Sequence, residues 1–368
     1  MMNVYVPSHL KKNNSRVVYD LFQDGNSYSK ADISRMTGIS APTVIKIIDS
    51  FIEKEILLHA GEGEAAVGRR PNLLKRNEKA FYAFGVDFQD ENVRIALVDL
   101  NGEIIDYIQM PLRLPLQDML GQEIVAAIAQ MIQRNEVPQQ RILGVGLGMP
   151  GVVDTQKNTV EYAFTLGMRE KTDCTDMLAQ LSEKLSVPVF MENDINAAAV
   201  GEFKMRRLDK SEDLIYISLG TGLGAGVVLS GELRHGIHHF AGEIAYTSFD
   251  EDFPTKEGQL GWLESTVNTA DFIKNGMDDS AASCEYMERI SKTLALTIAN
   301  VSVLLDFDLV VVGGLLVSHF GEALLKEIQK NLENMSLLKI NCELASSKLP
   351  ELVGSAIMVC EKRIGDIL

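Results

Sequence analysis

The stretch Leu219-Gly220-Thr221-Gly222-Leu223-Gly224-Ala225-Gly226 decides how the chain folds. Leu214–Leu219 before it and Gly224–Leu229 after it read as strands, and Ser230-Gly231 closes the unit with a second turn. An earlier segment has the same plan. Phe81–Phe88, Asn92–Leu100 and Glu103–Leu112 predict consecutive strands, and Asn101-Gly102-Glu103-Ile104 echoes Ser230-Gly231-Glu232-Leu233. A helical pattern over Gln117–Gln133 leads to an apolar strand, Ile142–Gly148, which ends at Met149-Pro150-Gly151. A late strand, Leu309–Val312, ends at Gly313-Gly314. The pattern predicts an α/β body of two similar lobes, with glycine turns lining a ligand cleft at their junction.

The first 80 residues read differently. Val17, Val18, Leu21 and Phe22 form one helical stripe, stopped by Asp24-Gly25. Ser29 with Asp32 opens a second helix in a capping-box-like way, with Ile33 and Met36 facing inward, and Gly38 closes it. Ser40 opens a third, with Val44, Ile47, Ile48, Phe51 and Ile52 on one face. Helix, short glycine turn and longer helix make a helix-turn-helix. A helix that enters a major groove needs small or polar side chains on its outward first turns, and Ser40, Ala41, Pro42, Thr43 and Lys46 supply them. Ile56–His59 and Pro71–Leu74 predict two strands around Gly61–Gly68, a wing whose Arg69 and Arg70 suit phosphates or a narrow minor groove. The expected division is a winged helix-turn-helix over 1–78 and a body over 79–368. Within the body, lobe 1 spans about 79–190 plus a C-terminal helix, and lobe 2 about 191–350.

Charge supports that division. The chain carries −16, which argues against nucleic acid if it is spread evenly. Residues 1–80 hold 12 Lys/Arg and 9 Asp/Glu, a net of +3, and the rest carries −19. A mildly basic head can face DNA while an acidic body is repelled from it. No apolar run is long enough to span a bilayer, no secretory signal is evident, and the four cysteines show neither metal spacing nor a disulfide framework. These features predict a cytoplasmic protein without membrane contact.

Glu192-Asn193-Asp194-Ile195-Asn196-Ala197-Ala198-Ala199, the glycine stretch above and Ala241-Gly242-Glu243-Ile244, together with the head and Gly68-Arg69-Arg70-Pro71, resemble the ROK family of repressors, open reading frames and sugar kinases. The resemblance covers nearly the whole chain. It implies a sugar-kinase-like body on the actin-like ATPase fold. It favours the regulator branch, because family kinases usually lack a DNA-binding head. It also implies that Gly151, Asn193, Asp194, Glu243, Tyr246 and Glu264 line a sugar pocket, with His238 at a common family histidine. In family kinases the aspartate matching Asp194 is the general base; here it reads as vestigial, with the alternative that it caps the next helix.

Two departures guide the functional expectation. Family kinases carry Asp-x-Gly-Gly-Thr for ATP phosphates, whereas this chain reads Asp87-Phe88-Gln89-Asp90-Glu91, which puts acidic side chains in the approach path. Gly220–Gly224 is kept, although a tight hairpin could ask for glycine without any nucleotide. Where most members place one histidine and three cysteines around zinc, this chain has Tyr246, Thr255, Glu257 and Trp262, so no metal and no cofactor are expected. Trp262 then reads as packing in the former metal volume, with stacking on a sugar ring as the alternative. The expected protein is a non-enzymatic repressor of xylose or other sugar-utilisation genes. Its partners would be a double-stranded DNA operator, a small sugar or sugar-derivative effector, and a second copy in a homodimer, with a tetramer as the larger option. The alternatives are an active sugar kinase carrying a DNA-binding head, and a DNA-binding protein whose body only dimerises.

Overall fold

The computed structural model describes residues 7–62, 72–89, 91–254, 259–275 and 281–368. The head contains α1 (Pro7–Leu21), α2 (Lys30–Thr37) and α3 (Ala41–Glu53). Its small sheet joins β1 (Tyr28–Ser29), β3 (Asn72–Arg76) and β2 (Leu57–Glu62), all antiparallel. The local signals act as expected at α2: the Ser29 side chain accepts from the Asp32 amide at 3.1 Å, Asp32 accepts from the Ser29 amide, and Gly38 caps the end in left-handed backbone. Met36 corrects the reading, since it is 53% exposed rather than inward. Val18, Phe22, Ile33, Val44, Ile47, Ile48 and Phe51 form the buried centre of the head. Arg69 and Arg70, on the expected wing tip, lie outside the described residues.

Lobe 1 is built on a five-stranded sheet. Its strands are β4 (Tyr82–Gln89), β5 (Asn92–Asp99), β6 (Ile104–Pro111), β7 (Ile142–Met149) and, after the short ribbon β8 (Val152–Asp154), β9 (Thr159–Glu161) and β10 (Thr172–Asp173), β11 (Val189–Asn193). The order is β11-β7-β4-β5-β6, antiparallel within the β4–β6 meander and parallel at β4–β7 and β7–β11. Strand β11 therefore carries the lobe 1 sheet to Asn193, a little past the expected limit near 190. The helical stretch divides into α4 (Leu116–Met119), a wider π turn at Leu120–Ile124 and α5 (Val125–Arg134), with α6 (Thr175–Leu185) nearby. Helix α7 (Asp194–Met205) then crosses toward lobe 2.

Lobe 2 repeats the sheet plan with β12 (Leu214–Leu219), β13 (Leu223–Leu229), β14 (Glu232–Leu233), β15 (Leu309–Gly313) and β16 (Asn341–Leu344), in the order β14-β13-β12-β15-β16. Helices α8 (Trp262–Val267), α9 (Thr269–Lys274), α10 (Ala281–Leu305), α11 (Leu315–Phe320) and α12 (Glu322–Met335) accompany it.

The last helix, α13 (Pro350–Ile367), joins all three parts. It lies on β4, β7 and α7. A Cβ at Gly85 would sit 2.0 Å from the Leu352 carbonyl oxygen and one at Gly146 would sit 2.2 Å from that of Ser355, so only glycine allows the sheet and helix backbones to meet this closely. Farther along, Ile357, Cys360 and Ile364 share one apolar cluster with Val18, Phe22, Ile33 and Phe51 of the head. Lys54 adds a hydrogen bond to the Ile367 carbonyl at 2.5 Å. The head is thus fused to the body through a common core, and burial of such side chains is worth about 1.5–3 kcal/mol each. Among the described residues no helix is long and apolar enough to cross a membrane.

Candidate functional site

A cavity of about 460 Å³ opens between the lobes. Gly151 reaches it from the β7–β8 turn, Asn193 from the end of β11 and Asp194 from the start of α7. Glu243 and Tyr246 come from the turn around Ile244–Tyr246, and Glu264 from α8. All six residues expected at a sugar pocket are therefore brought to one cavity, each half-buried. Their positions are fixed locally. Asn193 accepts from the Asn196 amide at 2.9 Å and donates to the Gly151 carbonyl at 2.9 Å, so it is Asn193 that caps α7 and ties that helix to lobe 1. The Asp194 carboxylate takes only the adjacent Ile195 amide, at 2.9 Å, and faces the cavity. Gly242 lets its loop press against β13: its φ is +94° and a Cβ there would stand 1.9 Å from the Ala225 carbonyl oxygen.

The cavity is rich in carboxylates. Burial, followed by Glu351, Asp87 and Glu243, raises the Asp194 carboxyl to about 8. Burial and the neighbouring Glu264 raise Glu243 to about 6. Burial and Asp87 raise Glu351, in the first turn of α13, to about 7. Near neutral pH Asp194 and Glu351 keep protons to donate while Glu243 mostly accepts, a mixture that suits a ligand bearing several hydroxyls.

The nucleotide end is altered in a way that the sequence did not reveal. Arg94 and Asp87 are register partners across β4–β5, and both are buried. The Arg94 Nε donates to Asp87 Oδ1 at 2.8 Å and its Nη2 to Asp87 Oδ2, a two-pronged pair, with Glu351 Oε2 at 3.6 Å from the same Nη2. Burial opposes the Arg94 charge, but Asp87 and Glu351 outweigh it and raise the guanidinium's pKa. Both oxygens of Asp87 are committed, and Gln89 also lines the cavity. Asp90 lies outside the described residues. This end fits the phosphates and magnesium of ATP poorly, because its carboxylate already holds a cation of its own. The zinc frame fits no better. Tyr246 and Trp262 offer neither thiolate nor imidazole, and Trp262 packs on the lobe 2 core and edge-on to Phe249 at 5.5 Å. Thr255 and Glu257 fall outside the described residues.

Other residues at the cavity went unread in the sequence: Arg94, Glu351, Tyr162, Phe164 and His239. His238 is exposed and its neighbour His239 takes the cavity position, with Nε2 3.3 Å from Asp154 of β8. His235 meets Glu192 at 2.9 Å, and that hydrogen bond raises its pKa. Two histidines of one lobe 2 loop thus hold two lobe 1 carboxylates. At the start of α3, the N-cap Ser40 and Ala41, Pro42 and Lys46 are exposed, Thr43 is half-buried, and Ser40 Oγ lies 2.9 Å from Thr43 Oγ1. Ile45, 44% exposed on the same surface, was not anticipated.

Comparison with known proteins decides the lineage. The ROK family model matches residues 83–351. The chain belongs to the ROK family. It is 26% identical to a xylose repressor of Caldicellulosiruptor bescii, over 93% of each chain. The crystal structure of a ROK family transcriptional regulator, a homologue of the E. coli MLC protein, superposes with a TM-score of 0.76 at 20% identity, covering 97% of this chain and 98% of that one. A ROK family glucokinase from Streptomyces griseus, solved with glucose and AMPPNP, superposes with a TM-score of 0.58 at 20% identity. It covers 76% of this chain and 99% of its own. The fold is shared with both structures, and of these two the regulator matches over nearly the whole chain.

Proposed function

We propose that this ROK protein is a sugar-responsive transcriptional repressor whose kinase-like body binds a sugar and does not phosphorylate it. The observation that carries the reading is the contrast within one cavity. The groups suited to hydroxyls, Asn193, Asp194, Glu243 and Glu264, converge there, while Asp87 at the phosphate end is held on both oxygens by Arg94. The relationship to a xylose repressor supports the same conclusion and makes pentoses the first sugars to try. In this reading Gly151 and Tyr246 shape the pocket, and the protein works in the cytoplasm without a cofactor.

The DNA contacts are assigned to Ser40, Ala41, Pro42, Thr43 and Lys46 of α3, with Arg69 and Arg70 on the wing. Ile45 is placed to meet a thymine methyl. A homodimer would set two α3 helices about one DNA turn apart on a palindromic operator. Sugar binding changes the angle between the lobes, and α13, packed between them and on the head, carries that change to the half-site spacing. The ligand moves this equilibrium only by its differential affinity for the two states.

Gel-shift titration of a palindrome near the gene, with and without a panel of sugars, tests the reading. Trp262 is the only tryptophan and sits on the helix that carries Glu264, so its fluorescence reports binding directly. An active kinase draws on one observation, the retained Gly220–Gly224 turn. ADP release with hexoses or pentoses, abolished in Asp194→Asn, would establish that rival.

A further inference from the structure

A second cavity, of about 360 Å³, lies where the head meets the body, with α1 on one side and the C-terminal parts of α7 and α13 on the other. Its charges fall into two sets. Asp20 is matched by Arg16 at 2.8 Å and Lys210 at 3.3 Å, and Glu361 by Lys204 at 2.6 Å. Asp24 and Asp209 line the cavity as well, and the exposed Arg207 feels the Asp24 carboxylate, whereas the buried Arg76 finds only neutral hydrogen-bond partners. Arg76 is 7% exposed; its Nη2 donates to Asn101 Oδ1 at 3.3 Å, and its Nε is buried with no hydrogen-bond partner among the described residues. Arg207 stands in left-handed backbone, φ +54°, and donates to the Asp24 carbonyl at 3.1 Å.

A guanidinium withdrawn from water costs stability unless an anion or a full set of acceptors replaces its hydration. Tyr19 beside Arg76 does not serve as that anion, because burial pushes its phenol up to about 12 and keeps it neutral. We infer that this seam is a second ligand site, which takes a small organic phosphate between Arg76 and Arg207. Two planar forks match a phosphate dianion better than a single carboxylate, and phosphate oxygens supply the acceptor that Arg76 Nε lacks. Leu100, Ile357 and Ile364 offer apolar surface for the organic part, with Gln23 and Asn101 for its hydroxyls. Arg76 belongs to the head and Arg207 to the body, so a ligand held by both ties the two together and biases DNA affinity. The site is separate from the interlobe cavity and does not depend on what that cavity binds.

The full-length protein, without DNA so that backbone phosphates are absent, is titrated with inorganic phosphate and then with glycerol phosphate. Sodium chloride holds the ionic strength constant, and calorimetry and the thermal midpoint are read together. The expected result is saturable binding of both phosphates and silence with glycerol. Affinity should fall at least tenfold in Arg207→Gln, fall partly in Arg76→Lys, which keeps the charge without the fork, and be lost in Arg76→Gln. If Arg76→Gln does not fold by circular dichroism, Arg207→Gln carries the test on its own. Phosphate binding must also persist in Asp194→Asn, whose sugar response is lost. The inference is overturned by no saturable heat with the wild type, by unchanged affinity in Arg207→Gln, or by loss in Asp194→Asn, which would place the phosphate between the lobes.

Discussion

The β4–β5 hairpin of lobe 1 and the β12–β13 hairpin of lobe 2 occupy corresponding places in their sheets and face the same cavity, yet they differ sharply in charge. The first has filled with charge: Arg94 grips Asp87 within reach of Glu351, next to a turn that carries Gln89 and Glu91. The second has stayed bare, with Gly220 and Gly222 in its turn. The expectation that a tight hairpin would itself demand those glycines is not met. Neither has left-handed backbone, and a Cβ at either would come no closer than 3.6 Å to another atom. Neither a positive φ nor a close contact accounts for Gly220 and Gly222. One hairpin is closed by an ion pair, while the turn of the other leaves room beside it.

The largest effect should come from breaking the filled hairpin. Arg94→Ala removes the buried cation beside Asp87 and Glu351 and should cost about 3–5 kcal/mol in urea denaturation. Adding Asp87→Ala should return part of that loss, and a strictly additive double mutant would show that the pair is not coupled. Next comes Gly242→Ala, which forces a side chain into left-handed backbone against β13 and should cost about 3 kcal/mol by the same measurement.

A pH profile compares the two sides more gently. Asp194 and Glu351 have folded values of about 8 and about 7, well above those of ordinary carboxyls near ~4. Between those limits the folded chain binds more protons than the unfolded one, so stability should fall as pH rises from about 4 toward 8. Asp194→Asn should flatten that slope and exceed the wild type in stability above pH 8. A slope as steep as the wild type's would show that Asp194 is not protonated in the folded state. The smallest effect is expected at the bare turn. Gly222→Ala should change stability by less than about 0.5 kcal/mol, so any larger change in Trp262 fluorescence response to sugar would report on ligand approach alone.

Much of this architecture could be read from local patterns. The Ser29–Asp32 cap, the Gly38 stop and the apolar spacing of α3 are short-range signals, and each lies where the sequence implied. Met36 was misread because its spacing fits a helix face that the head leaves open to solvent. The cavity was legible where neighbouring residues form a motif, as at Glu192–Asn196, and opaque where it depends on register. Arg94 joins Asp87 only through strand pairing, and Glu351 arrives from a helix more than 250 residues away. A signal did exist: Val93-Arg94-Ile95-Ala96-Leu97-Val98 is apolar on both faces except for one arginine, and such a strand requires a buried counter-charge.

Because α13 completes the head's apolar core as well as the body's, the DNA-reading part is not a detachable module. A head cut away ahead of Phe81 would leave Phe22, Val18 and Phe51 without the α13 residues that share their cluster, and grafting it onto another receptor would require residues 350–368 to travel with it. Any change to the outward side chains of α3 therefore has to be made in place.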